Sequence, residues 1–328
     1  MMRRLVKEFS NQLTDALNIG GNAKLTPSSK PIHSMVITGL GGSGIGGTIA
    51  TELVAKQLKI PTVINNDYSL PEFVNENTLV IVSSFSGNTE ETLQALKEAQ
   101  AANAEIACIT SGGKVAEIAK ENNYNLIILP KAFSPRAMLT YSVVQQFFLF
   151  KHYALINDSF INEIKSTVTL LENEVDAIKD LAHQTALALH SKTFVIYSES
   201  SIEGVAVRLR QQINENSKCL GWHHVIPEMN HNELVGWAGG KSEYAVILLR
   251  TSHEFSRSKV RLDISSELIK KYTSTVISLD AKGTSLVEQS FYHILLGDWI
   301  SVYLAELNQV DDVEVKVIDY LKGELAKI

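Results

Sequence analysis

The chain contains little cysteine and no excess of basic residues. Cys108 and Cys219 are its only cysteines, which excludes a framework of several disulfides and is typical of a reducing compartment. We therefore expect a cytoplasmic protein. Lysine and arginine total 30 against 36 aspartate and glutamate residues, a net charge of −6, and this balance argues against general nucleic-acid binding.

A long uninterrupted apolar run is also missing. The most apolar segment, 143–156, is broken by polar side chains and is too short to cross a bilayer. The basic start of the chain is interrupted by charge before an apolar core of signal-peptide length appears. We expect no membrane association. A length of 328 residues with 45% apolar content is sufficient for two globular domains.

Apolar, β-branched runs alternate with helical patterns along the chain, which predicts an α/β fold with two doubly wound parallel sheets. The predicted strands of the first half are 35–38, 62–64, 79–82, 106–109 and 126–129, and those of the second half are 193–197, 244–249 and 274–279. The second half repeats the pattern of the first, as a weak internal duplication would. We expect an N-terminal domain over 1–155, and a connector helix, a C-terminal domain and a C-terminal helix over 156–328.

The hydroxyl-rich segment 83–92 follows one of the buried strands directly. A strand that feeds a loop opening a helix directs free backbone N–H groups and the positive end of the helix dipole at one point, where an anion is favoured. Ser84, Ser86 and Thr89 add short hydroxyl donors, so the segment predicts a phosphate site. The alternative is an ordinary Ser/Asn-rich turn in which Thr89 caps the next helix.

A second loop of the anion-binding type, 39–47, follows the first strand and contains a literal G-x-G-x-x-G pattern. A dinucleotide site would also need an acidic residue at the end of the second strand. Asp67 is the candidate, but we expect it in the loop beyond that strand. Ser43 inside the glycine run, together with the hydroxyl loop, suits one compact phosphate better than a pyrophosphate. The corresponding loops of the second half carry Glu199, Glu203 and Glu254 instead, which would repel phosphate.

Arg136 follows Ser134 at a predicted N-cap and Pro135 at a first helical position. A cation in the first turn opposes the helix dipole, so its placement suggests that it faces an anion or a developing oxyanion. The alternative is a surface or salt-bridged arginine.

Glu215 falls near the C-terminal end of a predicted helix, where the negative end of the dipole disfavours a carboxylate. Such a group is suited to act as a base near neutral pH, although a solvated surface glutamate is the ordinary alternative.

His231 stands between two asparagines in a predicted turn, where a core histidine is less common. A metal site could also be sought in Cys219, His223, His224 and His231, but their spacing fits no strong zinc pattern. A Ser-His-Asp hydrolase is less well supported, because the chain lacks a G-x-S-x-G elbow.

Taken together, segments 39–47, 84–92, 134–136, 214–218 and 227–233 resemble the bifunctional phosphoglucose/phosphomannose isomerase family, which has two sugar-isomerase (SIS) domains of the flavodoxin-like, three-layer type. The resemblance runs in order from about residue 36 to residue 233, and it implies isomerisation of glucose 6-phosphate and mannose 6-phosphate with fructose 6-phosphate, without a metal or a cofactor. A non-catalytic SIS protein that senses a sugar phosphate is the alternative, and a dehydrogenase using the glycine loop is a further one.

The resemblance also implies roles for individual residues. Substrate phosphate would be bound by Ser43, Ser84, Ser86 and Thr89, with backbone contributions from Gly41, Gly42 and Gly87. Glu215 would carry the proton between C1 and C2, and Arg136 would stabilise the enediolate. His231, from the other subunit of a homodimer, would open the sugar ring, and Lys322 matches the family's lysine near the C-terminus.

Overall fold

The computed structural model describes residues 1–28, 30–132, 134–325 and 327. The chain forms two compact units. The first unit comprises Glu8–Glu172 and Ser285–Glu288, and the second comprises Met1–Lys7, Asn173–Thr284 and Gln289–Ile328. The chain passes from the first unit to the second between Glu172 and Asn173, inside a helix of 31 residues, and again between Glu288 and Gln289.

The α-helices run over Met2–Lys7 (α1), Phe9–Gly21 (α2), Gly41–Leu53 (α3), Glu90–Ala101 (α4), Gly113–Glu121 (α5), Leu139–His152 (α6), Ser159–Leu189 (α7), Glu203–Ser217 (α8), Glu233–Gly236 (α9), Ser256–Ile269 (α10), Leu286–Leu307 (α11) and Lys316–Leu325 (α12). The strands are Ser34–Thr38 (β1), Thr62–Asn65 (β2), Thr78–Ser83 (β3), Glu105–Thr110 (β4), Asn125–Ile128 (β5), Thr193–Glu199 (β6), Gly221–Ile226 (β7), Tyr244–Arg250 (β8) and Thr275–Asp280 (β9). Within the described part of the chain, no helix has the length and hydropathy that a membrane span needs.

In the first unit, the described strands form a parallel sheet in the order β2-β1-β3-β4-β5. Its central strands are apolar because helices cover both faces. Val36 belongs to a core cluster with residues of α4 and α5, while a Cβ on Gly47 of α3 would lie 2.7 Å from Ile37. Since neighbouring strand residues point to opposite faces, α3 lies on one face of the sheet and α4 and α5 lie on the other.

The strand order places a topological switch point between β1 and β3, which pair in register with Thr38 beside Val82. Ligands of doubly wound sheets bind outside the carboxyl ends of the strands at such a point. The loops that follow β1 and β3 are the two segments predicted to hold phosphate, so the topology brings both to the same edge of the sheet.

The second unit contains a parallel sheet in the order β7-β6-β8-β9 among its described strands. This is the order of the first four strands of the other sheet, in agreement with the repeated pattern in the sequence. Its core joins residues of β6 and β8, such as Val195 and Val246, to Leu262 and Ile269 of α10. The predicted α/β class with two doubly wound parallel sheets is confirmed, but β7 was not predicted.

Candidate active site

The loop after β3 is folded tightly onto itself. Ser84 Oγ and Thr89 Oγ1 lie 3.0 Å apart, and the amide of Gly87 donates to Ser84 Oγ at 3.2 Å. Gly87 has a φ of +69°, and a Cβ there would lie 1.8 Å from the carbonyl oxygen of Gly112 in the loop after β4. Only glycine fits this position, and its tight turn brings the hydroxyls of Ser84 and Thr89 together.

Thr89 occupies the N-cap position of α4, but its side chain makes no capping hydrogen bond. Its hydroxyl is directed to Ser84 instead, so the alternative in which Thr89 serves as a helix cap is wrong. Ser86 is exposed on the same loop, and its Oγ accepts a hydrogen bond from the amide of Asn88 at 3.2 Å.

The glycine-rich segment joins this loop through Ser43. The amide of Phe85 donates to Ser43 Oγ at 3.1 Å, across a separation of 42 residues. Gly41 and Gly42 form the first turn of α3 rather than a loop, and among the described residues their amides find no acceptor. The first amides of a helix are an anion-binding arrangement, so α3 presents two of them at the switch point.

Arg136 lies next to this turn. It belongs to the 3₁₀ helix Pro135–Met138 that precedes α6 and is buried, with 8% of its surface exposed. A Cβ on Gly42 would lie 3.8 Å from Arg136 Cα, so the backbone of Arg136 is adjacent to the turn of α3. Ser134 occupies the predicted N-cap position but makes no capping hydrogen bond, and within the described chain its buried hydroxyl has no partner.

A pocket of about 330 Å³ opens beside the hydroxyl loop. Ser86 lines it together with Ser111 and Lys131, and Ser111 Oγ donates to the carbonyl of Phe85 at 2.7 Å. The first unit therefore places hydroxyls, helix amides and Arg136 around the carboxyl edge of its sheet.

In the second unit, Glu215 lies in the last turn of α8 as predicted and is half-buried. The helix is followed by Lys218, whose φ of 57° is left-handed and whose Nζ donates to the carbonyl of Glu215 at 2.6 Å. Asn214 donates to the carbonyl of Cys219 at 2.7 Å, and Asn216 donates to Ser301 Oγ at 2.9 Å. The end of the helix that carries Glu215 is thus fixed on both sides.

His231 and Lys322 lie on other elements of the same unit. His231 ends the 3₁₀ helix Glu228–His231, and Lys322 lies on α12. Both are exposed. The structure therefore groups the predicted phosphate residues and Arg136 in the first unit, and distributes Glu215, His231 and Lys322 over separate elements of the second.

The carboxylates expected to repel phosphate in the second unit form hydrogen bonds or ion pairs with other residues of that unit. Glu199, at the end of β6, accepts hydrogen bonds from the amide of Phe255 at 2.9 Å and from Ser201 at 2.9 Å. Glu254 pairs with Arg250 at 2.8 Å. These carboxylates occupy the edge of the sheet that corresponds to the phosphate loops of the first unit.

The residues of the alternative sites also have other partners. Asp67 is exposed in the loop after β2 and accepts a hydrogen bond from the amide of Tyr68 at 2.7 Å. His223 and His224 contact different carboxylates, those of Glu203 and Glu233 respectively. Burial, with the positive charge of Arg210, lowers the pKa of His223.

One carboxylate was not recognised in the sequence. Glu233 accepts hydrogen bonds from Tyr197 Oη, from Trp222 Nε1 at 2.9 Å and from His224 Nδ1 at 3.0 Å. Its position two residues after His231, at the start of a short helix, was the available signal. Its donors come from β6 and from the unpredicted β7, so the cluster could not be assembled from sequence spacing.

Comparison with known proteins identifies both halves of the chain. Residues 30–156 match the SIS domain family, and residues 178–325 match the C-terminal SIS domain of bacterial phospho-glucose isomerases. The structure resembles the C-terminal domain of glucosamine-fructose-6-phosphate aminotransferase from Francisella tularensis, with a TM-score of 0.75 and 14% identity over 95% of this chain and 98% of that one. At that identity the likeness concerns the fold alone.

Two bifunctional phosphoglucose/phosphomannose isomerases are similar over most of their length. The one from Caldicellulosiruptor bescii is 40% identical over 98% of both chains. The one from Aquifex aeolicus is 35% identical over 90% of this chain and 92% of its own. This chain belongs to the bifunctional phosphoglucose/phosphomannose isomerase family.

Proposed function

We propose that this protein is an aldose–ketose isomerase that interconverts glucose 6-phosphate and mannose 6-phosphate with fructose 6-phosphate through a cis-enediolate. The observation that carries the proposal is the junction of two loops at the switch point of the first unit. There Ser43 accepts a hydrogen bond from the amide of Phe85, and Ser84 and Thr89 share a hydrogen bond between their hydroxyls. The first amides of α3 lie at the same point. This arrangement suits one compact anion, and the name of the related enzymes supplies the sugars.

Phosphate binding in the first unit serves orientation. Hydroxyls, helix amides and the dipole of α3 hold one end of the sugar at a distance from the reacting carbons, which reduces the entropy lost in reaching the transition state. We assign this role to Ser43, Ser84, Ser86 and Thr89. Arg136 would neutralise the negative charge that develops on the enediolate oxygen.

Proton transfer is assigned to Glu215. Its carboxylate would remove the proton from C2 of the open-chain aldose, so that the C–H electron pair forms the C1–C2 double bond and the carbonyl oxygen takes the charge. Return of the proton to C1, with transfer of the hydroxyl proton from O2 to O1, gives the ketose. Mannose 6-phosphate gives the same enediolate and differs only in the face of C2 that carries the proton, so one base can serve both aldoses.

His231 and Lys322 complete the proposed machinery. His231 would open the sugar ring by giving a proton to the ring oxygen, and Lys322 is assigned as the lysine that the family uses near its C-terminus. We further propose a homodimer in which the histidine of one subunit acts on substrate held by the other. In support, the His231 ring is exposed and makes no hydrogen bond within the described residues.

The reaction can be followed directly. Incubation of the protein with fructose 6-phosphate should yield glucose 6-phosphate and mannose 6-phosphate, each quantified by NMR. Calorimetry with the same sugar separates the alternatives, because a sensor protein would bind it without forming product. Binding without turnover would overturn the proposal in favour of the sensor.

The shared site of the dimer has its own test. Glu215→Gln and His231→Ala variants should each be inactive, because each removes one essential group. Mixed dimers of the two variants should regain activity, because one of their two sites then combines an intact Glu215 with an intact His231. No recovery after exchange of subunits would contradict a site shared between subunits.

A further inference from the structure

Glu233 is the first residue of α9 and lies two positions beyond His231. Its side chain is about three-quarters buried. One carboxylate oxygen accepts from Tyr197 Oη and from Trp222 Nε1 at 2.9 Å, and the other accepts from His224 Nδ1 at 3.0 Å. Hydrogen bonds to an ionised acceptor are stronger than neutral ones, so Glu233 is firmly attached to its three donors.

The sheet explains how the three donors come together. Tyr197 on β6 pairs in register with His224 on β7, and Val195 pairs with Trp222. Because side chains alternate along a strand, Tyr197, Trp222 and His224 lie on the same face. Trp237, just after α9, donates to Tyr197 Oη at 2.8 Å and so extends the network.

The phenol of Tyr197 is fully buried. Burial and the hydrogen bond to Glu233 both raise its pKa, so the phenol keeps its proton and continues to donate to the carboxylate. The attachment of Glu233 to β6 therefore persists throughout the neutral pH range.

His231 is held between this attachment and a second one. On its N-terminal side, Asn230 Nδ2 donates to Ser265 Oγ of α10 at 2.8 Å. On its C-terminal side, Asn232 Oδ1 accepts from the amide of Glu233 at 2.6 Å. An exposed imidazole thus stands on a short stretch of backbone that is fixed at both ends.

We propose that Glu233 is a positioning residue for His231, whose ring it holds in place by fixing the adjoining backbone to β6 and β7. The inference rests on the proposed function, because that function assigns ring opening to His231. Ring opening breaks the bond between C1 and the ring oxygen while a proton moves from the C1 hydroxyl to the ring oxygen, and it precedes the proton transfer at C2. Loss of Glu233 should therefore slow ring opening more than proton transfer.

The test measures both steps on the same sample. Exchange NMR gives the rate at which the protein interconverts the α and β anomers of glucose 6-phosphate, and loss of deuterium from glucose 6-phosphate labelled at C2 gives the rate of proton transfer in the open chain. For Glu233→Gln we expect anomer interconversion to fall by about tenfold, less than the roughly 10²–10⁴-fold expected for loss of an acid–base group itself, with a smaller change in deuterium loss per opened molecule.

Two further variants keep the result interpretable. Glu267→Gln removes the same charge from an exposed position on α10, away from the turn that carries His231, and should leave both rates unchanged. Tyr197→Phe removes one donor to Glu233 while keeping the buried ring, and it should also lower anomer interconversion. This variant replaces Glu233→Gln in the test if Glu233→Gln fails to fold.

The outcomes separate this inference from the proposed function. If the wild-type protein catalysed neither isomerisation nor anomer interconversion, the proposed function would be contradicted. A wild-type protein with both activities, retained in Glu233→Gln or lost in equal proportion, would overturn the positioning role alone.

Discussion

Arg208 on α8 and Asp298 on α11 form an ion pair inside the second unit, with Arg208 Nη2 at 3.0 and 3.1 Å from the two carboxylate oxygens. Their side chains are only 2% and 4% exposed. Gln212 donates to the same carboxylate at 2.8 Å, one turn further along α8. Burial raises the pKa of Asp298, while Arg208 and Gln212 oppose that effect. These contacts fix α8, whose last turn carries the half-buried Glu215.

Removal of Asp298 should destabilise the second unit strongly. Asp298→Ala leaves the buried guanidinium without its carboxylate, and breaking a buried pair in this way costs about 3–5 kcal/mol. Asp263→Ala is the matched control, because Asp263 pairs with Arg250 at 2.7 Å but its side chain is 54% exposed; its loss should cost less than about 1 kcal/mol. Urea unfolding measures both, and equal effects would contradict the account.

His293 on α11 should make stability depend on pH. Its Nε2 donates to the carbonyl of Arg250 at 2.9 Å, and burial lowers its pKa from 6.5 to about 4. Between these values the unfolded chain binds a proton that the folded chain does not. The contribution is therefore fully present above pH 6.5 and is lost as the pH falls, by at most about 1.4 kcal/mol per pH unit.

A His293→Gln variant isolates this effect, because the amide can still donate to the Arg250 carbonyl but cannot titrate. Its free energy of unfolding should depend less steeply on pH over the same range than that of the wild type. The titration of Asp298 is common to both proteins and cancels in the comparison. Parallel pH profiles would show that His293 is not the group responsible.

Thr89 and Thr92 offer a matched pair for the phosphate loop. Thr89→Val removes the hydroxyl that contacts Ser84 and keeps the shape of the side chain. Since a hydrogen bond to a charged group is worth about 1.5–3 kcal/mol, we expect KM for fructose 6-phosphate to rise by about tenfold or more. Thr92 lies in α4 just after Thr89, is fully buried and has no hydroxyl partner among the described residues, so Thr92→Val should leave KM unchanged. Initial rates across substrate concentrations distinguish them.

Much of the fold could be predicted from local patterns. The strands of the first unit are apolar because helices cover both faces. Apolar β-branched residues such as Val36 and Val80 therefore reveal these strands in the sequence. β7 was missed because it is an edge strand in which every residue but Ile226 is only half-buried. An edge strand tolerates polar side chains, and His223 and His224 therefore suggested ligands rather than a strand.

Individual candidate residues of the site were easier to recognise in the sequence than the contacts between them. Ser84 and Thr89 are close in sequence, so their loop was visible, but the bond from Phe85 to Ser43 depends on the strand order. Glu233 was missed for the same reason, since its donors meet only after β6 and β7 pair. Contacts made by the sheet carry no local signal in the sequence.

The central claim is that Glu215 moves the proton between C1 and C2, and turnover of Glu215→Gln tests it most directly. Conversion of fructose 6-phosphate to glucose 6-phosphate should fall by about a hundredfold or more, while calorimetry finds sugar-phosphate binding retained because the phosphate loops are intact. Glu267→Gln, on the exposed surface of α10, should behave as wild type. Near-wild-type turnover in Glu215→Gln would contradict the account.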